Sequence, residues 1–327
     1  MRRNLIVLVI ILGIVLPGLL FDKRTNEDSA QPYEMETIAA METAFSIKVK
    51  DNGQIAEMEL EEYVTGVLLG EMPASFEMEA LKAQAVATRT YTLRKILKQG
   101  KHNDADICTD ANCCQAFVSV NDYLLQKGTQ ADVEKIASAV RDTKSEVLTY
   151  NGELIEATYF SCSGGVTEDA VAVWGSSVPY LRSVESPGED QSKHFETTKT
   201  FTKSEFLSAL SLPSGKPLSD GDLTFSYTEG SGVATMMLFG STYSGTQVRQ
   251  LLNLPSTAFS VTIDEDQVYI RARGFGHRVG MSQYGADAMA VNGSTYDEIL
   301  LHYYVGTSLV RLSENDLNGL FDKDTNL

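Results

Sequence analysis

The most extended apolar run of the chain stretches from Leu5 to Phe21, contains no charged residue and follows Arg2 and Arg3. Its length is just sufficient for one helix to cross a bilayer. The two arginines would lie on the cytoplasmic side. The pattern therefore predicts a transmembrane anchor over residues 1–21. A cleaved secretory signal is the alternative, because the run is short and contains Pro17. Under both interpretations the bulk of the chain lies outside the cytoplasm, and the anchor makes it a single-pass membrane protein.

Residues 22–44 are polar and acidic without hydrophobic periodicity, which predicts a linker. Phe45, Ile47 and Val49 then alternate with polar residues and are followed by the Asn-Gly pair at 52–53. Alternation ending in Asn-Gly is typical of a β-hairpin. The globular part is therefore expected to begin at residue 45.

Two helices are predicted next, separated by a short break. The first has an apolar face that includes Val67, and Gly70 with Pro73 is expected to end it. The second is predicted to start at Ser75 as N-cap and to reach about Lys98, with an alanine-rich face suited to close packing.

Alternating and helical segments continue to about residue 310. Loops are predicted at 99–127, which is polar and carries cysteines, and at 161–192, which is rich in Gly and Ser. Helical patterns occur at 133–140, 203–210, 245–252, 282–291 and 295–304, and strand patterns near 147, 154–160, 197–201, 224–227, 233–239, 259–263 and 268–272. This order predicts an α+β fold for residues 45–310, which could divide into two lobes around a cleft. A polar tail at 311–327 follows.

The chain is acidic, with a formal net charge of −17 over 327 residues. Nucleic-acid binding depends on clustered positive charge that neutralises phosphates. Nucleic acid is therefore not expected as a partner.

Three glutamates lie close together at the break between the first two helices. Glu77 and Glu79 fall in the predicted first turn of the second helix, where the helix dipole favours a carboxylate. Glu71 lies instead just past the end of the first helix, beside apolar residues. Both features disfavour its charged form and should raise its pKa, as a general acid requires. A loop glutamate can equally be a solvent-exposed residue without function.

Basic residues recur along the second helix, with Lys82 and Arg89 on one stripe and Tyr91 and Lys95 nearby. They form either a solvated basic face or a row that binds an anionic or hydroxyl-rich ligand near Glu71.

A polar loop carries His102, Cys108, Cys113 and Cys114, and Cys162 is distant in sequence. In an exported protein, paired cysteines suggest a disulfide, and adjacent cysteines rarely bridge each other, which leaves Cys108 with Cys114. Zinc held by His102, Cys108 and Cys114 is the competing interpretation, because these are metal-ligand types spaced six residues apart.

Three stretches together resemble the stage II sporulation protein D family and its amidase-enhancer relatives. They are EYVTGVLLGEMPASFEMEALKAQAVATRTY, then SCSGG with the later WGSSVPYLRSVESP, and finally GFGHRVGMSQYGADAMA. The resemblance implies a peptidoglycan lytic transglycosylase that cleaves peptide-stripped glycan strands during sporulation engulfment. It implies that Glu71, in the Glu-Met-Pro step, is the catalytic acid and base. A noncatalytic glycan-binding activator of an amidase is the alternative function.

The resemblance also implies partners and binding residues. The partners are a sporulation amidase and a membrane-embedded sporulation protein, with the chain in the mother-cell membrane facing the forespore. The implied substrate-binding residues are Lys82, Gln84, Arg89, Tyr91, Ser163, Gly164, Gly165, His277, Ser282, Gln283 and Tyr284.

Two positions depart from the family pattern. Arg278 stands where glycine is expected after His277, which questions a close-approach role there. Cys113 stands where a histidine is expected before Cys114. Because some relatives hold zinc near the active site, the resemblance favours zinc over the disulfide.

Overall fold

The structure is a computed structural model that describes residues 45–98, 102–126, 128–313 and 315–317. The predicted anchor and linker at 1–44 and most of the predicted tail lie outside the described residues. Within the described ranges, none of the helices combines the length and apolar character needed to cross a membrane.

Helices and strands alternate along the described chain in the mixed order that the sequence predicts. The helices are α1 (Leu60–Glu71), α2 (Met78–Leu97), α3 (Val120–Leu125), α4 (Gln130–Asp142), α5 (Ala170–Trp174), α6 (Lys203–Ala209), α7 (Gly245–Leu251), α8 (Gln283–Val291) and α9 (Tyr296–Tyr303). The strands are β1 (Ser46–Asp51), β2 (Gln54–Glu59), β3 (Ile107–Cys108), β4 (Glu146–Tyr150), β5 (Glu153–Leu154), β6 (Tyr159–Phe160), β7 (Glu196–Thr202), β8 (Leu223–Tyr227), β9 (Val233–Leu238), β10 (Ser241–Ser244), β11 (Ala258–Ile263), β12 (Gln267–Arg273), β13 (Met281–Ser282) and β14 (Ser308–Arg311).

The larger hydrophobic core surrounds α2, which packs against α1, α4, α8, α9 and β4. Its small residues Ala80, Ala83 and Ala87 are fully buried, so neighbouring helices approach closely, as the alanine-rich face predicts. The predicted α+β fold is confirmed by this core of helices flanked by small sheets, in which most strand pairs are antiparallel.

Two short parallel pairings bring distant segments to this core. Strand β3 pairs with β1, with Val49 opposite Ile107, and so holds the cysteine-bearing loop beside the first hairpin. Strand β13 pairs with β6, with Met281 opposite Tyr159. Parallel pairing of this kind joins segments far apart in sequence and cannot be read from local periodicity.

A second, smaller core is built from β7 to β12 with α6 and α7. One sheet has the order β11-β12-β7 and the other has the order β10-β9-β8, and all of their strand pairs are antiparallel. Phe206, Met236 and Ile270 lie fully buried between the two sheets and their helices.

Several predicted boundaries are wrong. Ser75 is not the N-cap of α2: Pro73 to Phe76 form a turn, and Glu77, whose backbone N–H donates a hydrogen bond to Asp287, occupies the N-cap position. The loop predicted at 99–127 contains β3 and α3, and the loop predicted at 161–192 contains α5. The strand predicted at 154–160 is divided into β5 and β6.

Candidate active site

Glu71 is the last residue of α1 and lies in the break before α2. Its Oε1 accepts a hydrogen bond from the backbone N–H of Ala116 at 3.0 Å, and its Oε2 accepts one from Gln283 Nε2 at 3.2 Å. Gly70 favours this close approach of the 116–117 backbone, because a Cβ there would lie 3.1 Å from the backbone nitrogen of Phe117. Sequence-distant segments therefore fix both oxygens of this carboxyl group.

Burial raises the pKa of Glu71 above its ordinary value, and the hydrogen bonds from Ala116 and Gln283 oppose this shift only in part. Among the described residues, no other carboxylate contributes to the shift. The direction agrees with the one predicted from its position at the end of the first helix beside apolar residues. A largely buried, isolated carboxyl group of this kind is suited to donate a proton near neutral pH.

Gln283 reaches Glu71 because the β6–β13 pairing ends at Ser282, which caps α8 by accepting a hydrogen bond from Gly285 N–H. Gly280 just before β13 has φ +84°, and a Cβ there would lie 2.1 Å from the carbonyl oxygen of Thr158. The glycine-rich approach to β13 is therefore required for close packing of the chain itself. Ser282 is fully buried and acts as a helix cap rather than as a surface for ligand.

Aromatic rings extend outward from Gln283. Tyr284 packs edge-on against Phe76 at 5.0 Å and faces His194 at 6.0 Å, and the His194 ring lies 4.9 Å from that of Phe275, all measured between ring centroids. Phe275 is 46% exposed. Such rings are typical platforms for the apolar faces of sugars and other ligands.

Sequence reasoning missed two residues near Glu71. The charge of Glu71 contributes to the raised pKa of Tyr159, after burial as the larger cause, and the Tyr159 hydroxyl donates to Gln115 Oε1 at 2.8 Å. His194 joins the aromatic rings beside Tyr284. Tyr159 lies in the predicted strand at 154–160, which gave no sign of this role, and His194 lies outside the predicted helices and strands.

The predicted basic row on α2 does not meet Glu71. Arg89 is fully buried and forms a bidentate ion pair with Glu61, with nitrogen–oxygen distances of 2.6 to 3.2 Å. Lys82 pairs with Glu79 at 3.0 Å and with Asp142 at 3.6 Å. The structure corrects the prediction that Arg89 binds ligand, because its guanidinium is enclosed and paired inside the protein.

The described contacts of Gln84 and Tyr91 are made with groups other than Glu71. Gln84 is buried, and its Nε2 donates to Thr88. Burial, the charge of Glu156 and neighbouring thiols raise the pKa of Tyr91, whose ring lies beneath the Lys95 ammonium at 4.8 Å. Tyr91 therefore lies by the cysteine-bearing loop.

Ser163 and Gly164 bind a carboxylate of the protein itself. Their backbone N–H groups both donate to Glu189 Oε2 at 2.8 Å, and Ser163 Oγ donates to it at 2.9 Å. A Cβ on Gly164 would lie 2.7 Å from Arg273 Cβ. The residue that approaches Gly164 closely is thus Arg273 of β12 and not a ligand. A Cβ on Gly165 would have no neighbour within 4 Å.

His277 is packed between Phe160 and Trp174, with both centroid distances 5.6 Å, and its Nδ1 accepts from Val279 N–H at 3.1 Å. Burial, with a smaller contribution from Arg249, lowers the pKa of His277 to about 4. The imidazole is therefore neutral at physiological pH.

Arg278, the departure from the family pattern, has φ +68° and is fully buried. Its guanidinium lies 3.2 Å from Glu168 and donates to the carbonyl oxygens of Ser163, Val166 and Gly230 at 2.7 to 2.8 Å. The arginine thus joins loops of both hydrophobic cores instead of leaving room for a ligand.

His102, Cys108, Cys113 and Cys114 converge, with their potential ligand atoms all within 4.8 Å of one another. His102 Nε2 lies 3.6 Å from Cys113 Sγ and 3.5 Å from Cys114 Sγ, and these two sulfurs are 3.9 Å apart. Cys113 and Cys114 are placed by a turn in which both backbone N–H groups donate to the carbonyl oxygen of Asp110. The four cysteines of the chain, all of them described, form no disulfide, so the alternative Cys108–Cys114 bridge is not present.

The spacing of this cluster fits zinc. A tetrahedral zinc ion with bond lengths of about 2.3 Å to sulfur and about 2.1 Å to nitrogen separates its ligands by about 3.6 to 3.8 Å. The observed nitrogen–sulfur and sulfur–sulfur distances among His102, Cys113 and Cys114 lie close to these values, and Cys108 Sγ lies within 4.8 Å of the other three ligand atoms. The predicted trio of His102, Cys108 and Cys114 is thus joined by Cys113, which supplies a fourth ligand atom.

Comparison with known proteins shows which protein family contains the candidate acid and the cysteine-bearing loop. Residues 48–150, which include Glu71 and the cysteine-bearing loop, match the family described as Stage II sporulation protein. The chain is 40% identical over 278 residues to Stage II sporulation protein D of Bacillus subtilis (strain 168), an alignment that covers 84% of this chain and 81% of that protein.

Two further relatives support the same assignment. Stage II sporulation protein D of Bacillus amyloliquefaciens is 38% identical, over 81% of this chain and 77% of that protein. The amidase enhancer of Bacillus subtilis (strain 168) is 34% identical, over 75% of this chain but only 40% of that protein. The chain belongs to the stage II sporulation protein D family, and the predicted resemblance is confirmed.

Proposed function

We propose that the protein is a lytic transglycosylase that cleaves peptide-stripped glycan strands of peptidoglycan during sporulation. The observation that carries this proposal is the single, largely buried carboxyl group of Glu71, with a raised pKa and both oxygens fixed. A hydrolase of the usual kind needs two carboxyl groups, one as acid and one as base or nucleophile. A lytic transglycosylase needs one, because a hydroxyl of the substrate replaces water.

In this mechanism Glu71 donates its proton to the glycosidic oxygen as the bond to C1 of muramic acid breaks. The resulting carboxylate accepts the proton of the muramic acid 6-hydroxyl, whose oxygen bonds to C1. The products are a 1,6-anhydro ring and a free hydroxyl on the leaving sugar, and Glu71 is again protonated. The Gln283 amide and the Ala116 N–H orient the carboxyl group throughout.

The decisive experiment compares the products that the wild-type chain and Glu71→Gln release from peptide-stripped glycan, by mass spectrometry. We expect 1,6-anhydro products from the wild type and a loss of rate of about 10³-fold in the variant. Glu77→Gln, the same change at an exposed position six residues later, is the control and should remain active. Products with ordinary reducing ends would indicate a hydrolase, and an active Glu71→Gln protein would remove Glu71 from this role.

A noncatalytic activator of an amidase is the second candidate, and similarity to an amidase enhancer supports it. This candidate needs no acid, so Glu71→Gln would leave it intact. A sporulation amidase and a membrane-embedded sporulation protein are the proposed partners. An anchor at residues 1–21 would place the protein on the mother-cell membrane facing the forespore.

Zinc is the proposed cofactor. Its ligands would be His102, Cys108, Cys113 and Cys114, whose ligand atoms all lie within 4.8 Å of one another. Three sulfurs and one nitrogen fill four positions, which is characteristic of a structural zinc. The ion would hold the loop together, while the proton transfers remain with Glu71.

A further inference from the structure

Strand β12 presents positive charge on its solvent-facing side. Arg271 and Arg273 are two residues apart and so lie on the same face, with side chains 58% and 56% exposed. Both pair with a single carboxylate, Glu196 on the adjacent β7, at 2.6 and 3.5 Å. Two guanidinium groups against one carboxylate leave one positive charge in excess, on a protein whose net charge is −17.

An open groove of about 430 Å³ adjoins these arginines. It is lined by Gly164, Gly165, Val166, Ser260, Arg271 and Arg273, among others. Gly165 has φ +111°, and a Cβ there would have no neighbour within 4 Å, so the loop leaves the groove unobstructed. This volume is within the range of sites for small ligands, and the lining offers polar groups suited to a hydroxylated, anionic one.

The groove is connected to Glu71 by the aromatic rings. Arg273 is two residues from Phe275, and Phe275 exchanges two backbone hydrogen bonds with Cys162, which holds the 162–165 segment beside it. The Phe275 ring leads to His194 and then to Tyr284, next to Gln283, which binds Glu71. Ring contacts and neighbouring positions in the chain therefore link the candidate acid to the arginines.

We propose that the groove is a second subsite, in which Arg271 and Arg273 bind the carboxylate of a glycan sugar remote from the cleaved bond. The proposal rests on the proposed function, since it takes the same glycan as ligand. Muramic acid without its stem peptide carries a free lactyl carboxylate, and guanidinium groups are well matched to carboxylates. The subsite would favour strands in which this carboxylate is free.

The test measures binding of the full chain, carrying Glu71→Gln to prevent cleavage, to peptide-stripped glycan strands by calorimetry. The same strands with methyl-esterified carboxylates are the neutral probe. The double change Arg271→Gln and Arg273→Gln should weaken binding to the acid strands by about fivefold to tenfold, as expected for exposed charge pairs. It should leave binding to the esterified strands unchanged.

Glu196→Gln provides a change of opposite sign. Removing this carboxylate frees both guanidinium groups, so binding to the acid strands should strengthen, by about threefold. A variant that merely misfolds cannot bind more tightly. Arg141→Gln removes one exposed positive charge on α4, from an arginine that bonds only to Ser138 among the described contacts, and as the control for charge lost elsewhere on the surface it should bind like the parent protein.

Equal binding of acid strands by the parent and the double variant would overturn the subsite, as would weaker binding by Glu196→Gln. These outcomes are distinct from failure of the proposed function. A wild-type chain that releases no 1,6-anhydro products would refute the transglycosylase, whereas the arginine variants report binding alone.

Discussion

The pKa of Glu71 could be predicted from the local sequence, whereas its hydrogen-bond partners depend on the fold. Its place at the end of the first helix, beside apolar residues, was enough to predict a raised pKa, and burial in the structure raises it. Its two hydrogen-bond partners, Ala116 and Gln283, lie 45 and 212 residues away. Arg89 shows the opposite case, because the stripe it shares with Lys82 suggested a ligand and gave no sign of its buried partner Glu61.

The raised pKa of Glu71 predicts a pH-dependent stability effect. Below the unfolded-state pKa of 4.5, the carboxyl group is protonated in both the folded and the unfolded state, so its raised pKa does not change the free energy of unfolding. As pH rises through 4.5 toward the raised folded pKa, the unfolded state ionises first, so the wild type loses stability. Glu71→Gln removes this cost, which is about 1.4 kcal/mol for each unit by which the pKa is raised.

We therefore expect Glu71→Gln to be more stable than the wild type at pH 7 and equally stable at pH 4, in urea unfolding at the two values. Glu77→Gln, at an exposed position, should show no such difference. A Glu71→Gln protein that is less stable than the wild type at pH 7 would contradict the inferred burial cost.

Among the elements, the segment from Gly274 to Ser282 departs most from what its sequence suggests. Its glycines indicated close approach to a sugar, whereas Gly274 and Gly280 admit the backbone of Ser163 and Thr158. Arg278 adopts a left-handed conformation that costs about 1 kcal/mol or more for a residue with a side chain. Its bonds to Glu168 and to three carbonyl groups offset that strain.

Restoring glycine at this position tests the interpretation. Arg278→Gly relieves the backbone but leaves the Glu168 carboxylate buried without its partner, so we expect a loss of about 3 kcal/mol in unfolding free energy. Adding Glu168→Gln should recover at least about 1 kcal/mol of that loss, because the two side chains interact. Both quantities follow from chemical denaturation of the single and double variants.

Lys50→Gln is the control, since it breaks an exposed ion pair with Asp104 in which the two side chains are 33% and 49% exposed. It should cost no more than about 1 kcal/mol. Additive effects of Arg278→Gly and Glu168→Gln would show that their contact does not stabilise the protein.

At the scale of the whole molecule, periodicity predicted most helices and strands, and it failed where pairing is non-local. The short strands β3, β6 and β13 have too few residues for a period, yet their parallel pairings bring the cysteine-bearing loop and Gln283 to the larger core. The division into two hydrophobic cores depends on such long-range contacts. The candidate site was predictable as a set of motifs, and the partner of each side chain was not.

The cysteine-bearing loop links a local cluster to the larger core as a whole. Strand β3 pairs with β1, Tyr63 donates to the Cys108 carbonyl oxygen at 3.1 Å, and Ala116, two residues after Cys114, holds Glu71. Metal bound by this loop would therefore stabilise both the core and the position of the candidate acid, since ligand binding to the folded state alone raises stability.

We expect elemental mass spectrometry of the full chain, purified anaerobically, to find one zinc ion. The melting temperature of the protein should fall when a chelator removes that ion. Cys113→Ser removes one of four ligands, so zinc affinity should fall by at least about tenfold and the melting temperature with it. Cys162→Ser is the control, because that buried thiol lies 3.1 Å from Glu189 and outside the cluster, so its zinc content should match the wild type. Metal-free protein with a quantitative Cys108–Cys114 disulfide would refute the zinc site and restore the bridge as the stabilising element of this loop.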